Sequence, residues 1–303
     1  MRVYSHPDCL GHQPGAGHPE SPARLRTVTE ALHEALPALQ WHEAPLATRE
    51  QLQRVHAPSL IDRILEAPAG VTLRLDEDTV LSPGSVAATL RACGAGIAAV
   101  DAVLAGDTRQ AFCAVRPPGH HATADTAMGF CLFNAVAVAA AHALAAHGLK
   151  RVAIVDFDVH HGNGTQDIFE REPRVLYLSS HQSPLYPGSG SPNESGVGNI
   201  VNAPLPPGAG SNLFRAAWQE RLLPALDAFA PELLLVSAGF DGHRLDPLAD
   251  LGLVAEDYAW LSGLLAACAG QHCQGRLVSL LEGGYSLSAL RECSVAHLVG
   301  LGA

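Results

Sequence analysis

Lysine is almost missing from this chain. Lys150 is the only one, and 19 Lys and Arg residues stand against 30 Asp and Glu for a formal net charge of −11. So little cationic surface excludes broad electrostatic capture of DNA or RNA. An acidic surface serves solubility, and it leaves a cationic substrate such as a polyamine or a basic peptide tail admissible. Cys-x-x-Cys pairs are also missing: the 7 cysteines (Cys9, Cys93, Cys113, Cys131, Cys268, Cys273 and Cys293) are scattered and odd in number. The start, Met1-Arg2-Val3-Tyr4-Ser5-His6-Pro7-Asp8, has no apolar signal core. A disulfide framework is therefore not expected, and a reducing cytoplasm is the simplest compartment. No convincing membrane span is present, because the most apolar stretch, residues 86–105, is interrupted by Arg91 and Asp101. Nor does a Gly/Ser linker, charge block or low-complexity tract divide the 303 residues, of which 48% are hydrophobic. One domain, 1–303, with a large core is the expectation.

What is present is an alternation of apolar runs and amphipathic stretches. Helices are expected over 22–36, 85–104, 134–147, 212–229, 256–269 and 286–299, and strands ending near Ser5, Val115, Asp156, Ser180, Ser237 and Glu282. This pattern predicts an α/β fold with a central, mostly parallel sheet and helices on both faces. Pro and Gly are dense between residues 180 and 213, so a long irregular loop is expected there, part of it at the mouth of a site.

The richest segment is Asp156-Phe157-Asp158-Val159-His160-His161-Gly162-Asn163-Gly164-Thr165-Gln166, which follows the buried-strand run Val152-Ala153-Ile154-Val155. Side chains alternate along a strand, so Asp156, Asp158 and His160 fall on one face if the strand persists. Two carboxylates and an imidazole converging there are costly to bury without a cation, and oxygen and imidazole donors suit zinc or iron. Three other probable strand ends carry chemistry: Arg116-Pro117-Pro118-Gly119-His120-His121-Ala122, Ser237-Ala238-Gly239-Phe240-Asp241 and Leu281-Glu282-Gly283-Gly284-Tyr285. Ligands of open α/β sheets bind beyond the carboxyl ends of the strands, so these four ends point to one cleft.

These motifs, in this order from Gly17-His18-Pro19-Glu20-Ser21-Pro22 to Glu282-Gly283-Gly284-Tyr285, resemble the zinc-dependent histone deacetylase family, in its class II-like bacterial form. The resemblance covers nearly the whole chain and implies a single arginase-like α/β domain. It makes Asp158, His160 and Asp241 the ligands of one zinc, a set that also accepts iron(II). It makes His120 and His121 the paired catalytic histidines, with Asp156 orienting the first and Asn163 the second, and Tyr285 the phenol that polarises the substrate carbonyl. Gly129, Phe130 and Tyr186 would line the acyl-lysine tunnel, and Leu248 its mouth. Ser179 and Ser180, with Asp156 and main-chain oxygens of Asp158 and His160, would hold a structural monovalent cation, potassium. The implied activity is removal of acetyl or other acyl groups from lysine side chains of a protein, peptide or small acylated amine. The alternative is an acetylpolyamine amidohydrolase. Polyamine-selective members often carry an acid just after Asp-Pro, where Asp246-Pro247-Leu248 places leucine. A catalytically dead acyl-lysine binder is disfavoured because no ligand and no Tyr285 is lost.

The inventory also makes chemical sense without the family. Amide hydrolysis needs an activated water, an electrophilic carbonyl and a proton for the leaving amine, which metal, histidines and phenol supply. Most of the 16 histidines have ordinary roles. His6, His12 and His18 read as a loop at the rim, His181 as a packed strand-end residue or a support of the metal site, and His243 as a weak candidate for a second metal. Asp76, Glu77 and Asp78 read as a solvated loop or a rim that grips a cationic group.

Overall fold

The computed structural model describes residues 1–68 and 70–303. Ten strands run in chain order: β1 (Arg2–Ser5), β2 (Gln40–Glu43), β3 (Leu73–Arg74), β4 (Val80–Leu81), β5 (Gln110–Cys113), β6 (Val152–Asp156), β7 (Val175–Gln182), β8 (Ile200–Leu205), β9 (Leu233–Ala238) and β10 (Leu277–Leu281). Eight of them form one sheet in the order β2-β1-β5-β10-β9-β6-β7-β8, every pair parallel; β3 and β4 make a separate antiparallel pair. The central strands β6, β7, β9 and β10 are buried along their whole length. That is why β6, β9 and β10 and the first half of β7 read as mostly apolar runs and not as alternating ones.

Among the described residues there are ten α-helices: α1 (Pro22–Ala35), α2 (Arg49–Leu52), α3 (Pro58–Leu65), α4 (Ser85–Ala105), α5 (Ala135–Ala146), α6 (Asn163–Phe169), α7 (Ser211–Ala217), α8 (Leu223–Phe229), α9 (Ala255–Cys273) and α10 (Leu287–Leu301). α4 and α5 pack together on one face, and α1, α9 and α10 on the other. α4 is long and apolar enough to cross a membrane, but most of it is buried in the fold. The two charges that interrupt it are both engaged: Arg91 donates to Asp8 and to the Ala44 carbonyl, and Asp101 accepts from His142 and His147.

Two expectations are corrected. The stretch 180–213 is not one irregular loop, because β8 lies within it and pairs with β7. Asn202 and Pro204 hide this strand from its sequence, and Pro204 is tolerated because β8 is the sheet edge, where no outer neighbour needs its missing N–H. The expected helix 212–229 is split by a π-helical turn, Trp218–Leu222. Pro224 follows, and it cannot donate to a regular helical ladder.

Candidate active site

The four chemically loaded strands β5, β10, β9 and β6 are consecutive neighbours in the sheet, so their carboxyl ends form one continuous floor. Asp158 and His160 follow β6 and Asp241 follows β9; one donor atom from each lies within 4.8 Å of the others. His160 Nδ1 is 3.1 Å from Asp158 Oδ1 and 3.3 Å from Asp241 Oδ2. All three side chains are buried. Asp158 Oδ2 accepts from Gly283 N at 2.8 Å and Asp241 Oδ1 from Val159 N at 2.9 Å, whereas Asp241 Oδ2 has no hydrogen-bond partner. An orphaned buried carboxylate oxygen, aimed at an imidazole nitrogen and a second carboxylate, fits a bound divalent cation. Burial and the charge of Asp158 together raise the Asp241 carboxyl above its ordinary range, which is the strain a cation relieves. Gly239 and Gly283 leave the space: a Cβ on either would run into the Asp158 or Asp241 carboxylates.

His120 and His121 follow β5. His120 Nδ1 meets Asp156 Oδ2 at 3.0 Å, and Tyr177 Oη donates to that same oxygen at 3.0 Å. Burial works against a charge on His120, but Asp158 and Asp156 outweigh it and lift its proton affinity well above the ordinary histidine value. His121 Nδ1 meets Asn163 Oδ1 at 2.8 Å. Burial, then the neighbouring His120 and His160, push His121 well below its ordinary value, and Asn163 offsets this only in part. Two adjacent imidazoles thus have opposite leanings, one proton-holding and one neutral.

A cavity of about 240 Å³ opens above this floor, lined by His121, His160 and Tyr285 at depth and by Gly129, Phe130, Leu185, Tyr186, Leu248 and Asp78 around it. Tyr186 stands edge-on to His121 with ring centroids 5.2 Å apart, and Phe130 edge-on to Tyr285 at 5.8 Å. Phe130 adopts φ 67°, an uncommon conformation for a non-glycine residue, and its amide is held by Thr79 Oγ1 at 3.1 Å. Gly129 must be glycine, since it sits at φ 56° with its α-carbon against the His121 ring. Burial and the nearby Asp241 and Asp158 charges, opposed by Arg24, hold the Tyr285 phenol well above its ordinary value, so it keeps its proton.

The expected metal ligands, histidines, their partners and the tunnel residues therefore lie at or just beyond the four strand ends or on the cavity wall, whereas Ser179 and Ser180 lie within the neighbouring strand β7. Asp156 and Ser179 are register partners on β6 and β7. Ser179 Oγ is bonded to His181 and Ser180 Oγ accepts from Trp218 Nε1. The main-chain oxygens of Asp158 and His160 take no backbone hydrogen bond.

Several residues depart from the sequence expectation or carry no signal in it. His12 is not on the rim: it is buried, bonded to Ser85 Oγ at 2.6 Å and 3.3 Å from Glu20. His18 is at the rim, against Phe130. Asp78, expected in a solvated loop or at the rim, lines the cavity. His243 accepts from Leu245 N through Nδ1 and joins no ligand cluster among the described residues. His181 is packed, bonded to Ser179 and to the Gly190 carbonyl. The buried carboxylate of Glu282 accepts from Gly119 N at 2.6 Å and His120 N at 3.2 Å, which fixes the histidine turn. Arg24 reaches from α1 to the Glu282 and Gly284 carbonyls and lies over the Tyr285 ring at 4.9 Å. Glu20 ties Arg24 to Arg116 in a buried ion network.

A second cluster, Asp101, His142 and His147, is not a metal site. Both Nε2 atoms lie 2.7 Å from one oxygen, Asp101 Oδ1, which is hydrogen-bond spacing. Arg54 donates to His142 Nδ1 at 2.8 Å, so His142 carries its proton on Nε2 and has no lone pair there to offer. A larger groove of about 320 Å³ at the β1–β2 edge, lined in part by His33, Trp41 and His42, holds none of the catalytic groups.

The comparisons with known proteins agree with this geometry. Residues 18–301 match the histone deacetylase domain. The chain is 41% identical over 288 residues to a histone deacetylase-like amidohydrolase of Pseudomonas aeruginosa, covering 93% of this chain and 76% of that one. It is 39% identical over 293 residues to a probable deacetylase of Archaeoglobus fulgidus, with 94% and 81% covered. The crystal structure of the HDA15 HD domain superposes with a TM-score of 0.93 at 36% identity, covering 99% of this chain and 88% of that chain.

Proposed function

From the fact that the chain belongs to the histone deacetylase family, a family of deacetylases and related amidohydrolases, we propose that it is a zinc-dependent hydrolase of acyl-lysine. The observation that carries the metal is the orphaned Asp241 Oδ2 beside Asp158 and His160 at the foot of an aromatic-walled cavity. Those three side chains would hold the ion. Bound there, zinc supplies a Lewis acid that polarises a carbonyl and brings a water toward deprotonation near neutral pH.

The residues of this chain do the rest. Phe130 and Tyr186 flank the cavity and fit the alkyl stem of lysine, excluding water along it. Asn163 accepts the Nδ1 proton of His121 and leaves its Nε2 free as a base. As water adds to the amide carbon, His121 takes its proton. Tyr285, still protonated, donates to the carbonyl oxygen as negative charge gathers there. The C–N bond then breaks, and the proton on His121 passes to the departing amine, leaving a carboxylic acid and a free lysine. His120, oriented through Nδ1 by Asp156, turns its Nε2 toward the reacting groups and helps to place the water. A potassium ion is assigned to the main-chain oxygens of Asp158 and His160 with Asp156, Ser179 and Ser180, supported by those unpaired carbonyls.

Leu248 on the cavity wall supports acyl-lysine, since it offers a second ammonium nothing, whereas Asp78 on the same wall is the feature that would suit an acylated polyamine. A panel that crosses acyl length against peptide, free lysine and polyamine tests the proposal. Turnover of acyl-lysine peptides above acetylpolyamines is expected, and the reverse order would replace this reading by the polyamine one.

A further inference from the structure

Tyr285 is carried on a loop that does not define its own shape. Two glycines precede it, and Gly284 sits at φ 115°, a conformation open only to glycine. The ring has Arg24 over one face and Phe130 packed against it, but these ring contacts alone do not fix the backbone on which the phenol swings. The backbone is held from two sides. Arg24 Nε donates to the Gly284 carbonyl at 2.6 Å. On the amide side, Asp246 Oδ2 accepts from Tyr285 N at 2.7 Å and from Ser286 N at 3.2 Å. The other oxygen of the same carboxylate accepts from Leu248 N at 3.1 Å. Asp246 is 7% exposed, and its own amide donates to the His243 carbonyl at 2.8 Å. One buried side chain thus joins the turn that carries the cavity-wall residue Leu248 to the turn that presents the phenol. It also places a carboxylate at the N-terminus of α10, where the helix dipole favours negative charge.

We propose that Asp246 is a positioning residue that sets Tyr285 through its backbone and couples it to the Leu248 turn, so that engagement of the cavity mouth and presentation of the phenol occur together. This rests on the acyl-lysine hydrolase reading for its kinetic consequence, but not for its structural one. Removing the carboxylate frees two amides at Tyr285 and Ser286, and the phenol samples positions from which it cannot reach the carbonyl oxygen. The loss belongs to turnover and not to metal binding, because the Asp246 carboxylate bonds to the Leu248, Tyr285 and Ser286 amides and to no ligand side chain.

The test is a double-mutant cycle on the zinc-loaded enzyme with an acetyl-lysine peptide, using Asp246→Ala and Tyr285→Phe singly and together. Asp246→Ala is expected to lower kcat about 10- to 100-fold, to move KM less than about threefold and to leave zinc content unchanged. In the Tyr285→Phe background the same change is expected to cost less than about threefold, because the group it positions is gone. Losses that multiply across the two sites would overturn the proposal. Asp246→Asn preserves volume and guards against misfolding of the alanine variant. It keeps one acceptor oxygen and so loses either the Tyr285 or the Leu248 link. Amide hydrogen exchange of this variant is read independently of activity: segments carrying Tyr285–Ser286 or Leu248 should exchange at least about tenfold faster than in the wild type. Unchanged exchange at both would overturn the clamp. A wild type inert on every acyl amine, with exchange behaving as expected, would instead overturn the hydrolase reading and leave the clamp standing.

Discussion

His56 offers a stability prediction whose size follows from the structure. It is 3% exposed, with Nδ1 3.0 Å from the Thr123 carbonyl and Nε2 accepting from Asn134 N at 2.9 Å. These partners dictate a neutral ring protonated on Nδ1; a second proton on Nε2 would face the Asn134 N–H at the N-terminus of α5. Burial accordingly lowers its pKa to about 4, against the opposing carbonyl contact. A histidine whose folded pKa lies below its unfolded value of about 6.5 contributes its full stability above that pH and loses it as pH falls, since the unfolded chain takes up the proton first. Between pH 6.5 and 5 the loss is about 2 kcal/mol, rising to about 3 kcal/mol below pH 4. For a chain of this size, 2 kcal/mol corresponds to about 3 °C in Tm. The comparison is thermal unfolding of wild type and His56→Gln at pH 7 and pH 5. The glutamine variant is expected to be the less stable at pH 7 but to lose about 3 °C less on acidification. Parallel pH dependences in the two proteins would refute the assignment of a buried neutral His56.

Three further outcomes concern the site. Tyr285→Phe should retain its metal and lose turnover by about 100-fold or more, and near-native turnover on a slow amide would remove the phenol from the chemistry. Asn163→Asp places a carboxylate against His121 Nδ1 and raises its proton affinity, so the acid limb of the kcat/KM profile should move to higher pH; an unmoved limb would show that His121 is not the titrating base. Leu248→Glu puts an acid on the cavity wall, and a partly desolvated charge pair there should raise relative kcat/KM for acetylpolyamines, most clearly at low salt. Equal selectivity in variant and wild type would mean that the second ammonium does not reach this wall.

Much of the site was legible because its chemistry is concentrated at strand ends. The run from Asp156 to Asn163 declares its acids and imidazoles directly after a buried strand, and the parallel sheet places the other three motifs beside it. What holds these groups in place was less visible. Arg116 meets Glu20 across 96 residues, and Glu282 meets the Gly119 amide across 163, separations that leave no periodic trace. His12 looked like a loop residue because its partners, Glu20 and Ser85, come from elsewhere in the chain. Strand β8 was hidden by Asn202 and Pro204, and β2, Gln40-Trp41-His42-Glu43, carries too few apolar residues for a strand pattern to register. Edge strands of this kind are defined by the neighbour they pair with more than by their own composition.

The central claim is that Asp158, His160 and Asp241 hold one divalent metal on which amide hydrolysis depends. The direct measurement is metal content by elemental analysis, taken alongside hydrolysis of an acetyl-lysine peptide, for wild type, chelator-stripped wild type and His160→Ala. About one zinc per chain, activity lost on stripping and regained with zinc, and neither metal nor activity in His160→Ala are the expected results. Hydrolysis that survives complete stripping, or full metal occupancy in His160→Ala, would contradict the claim.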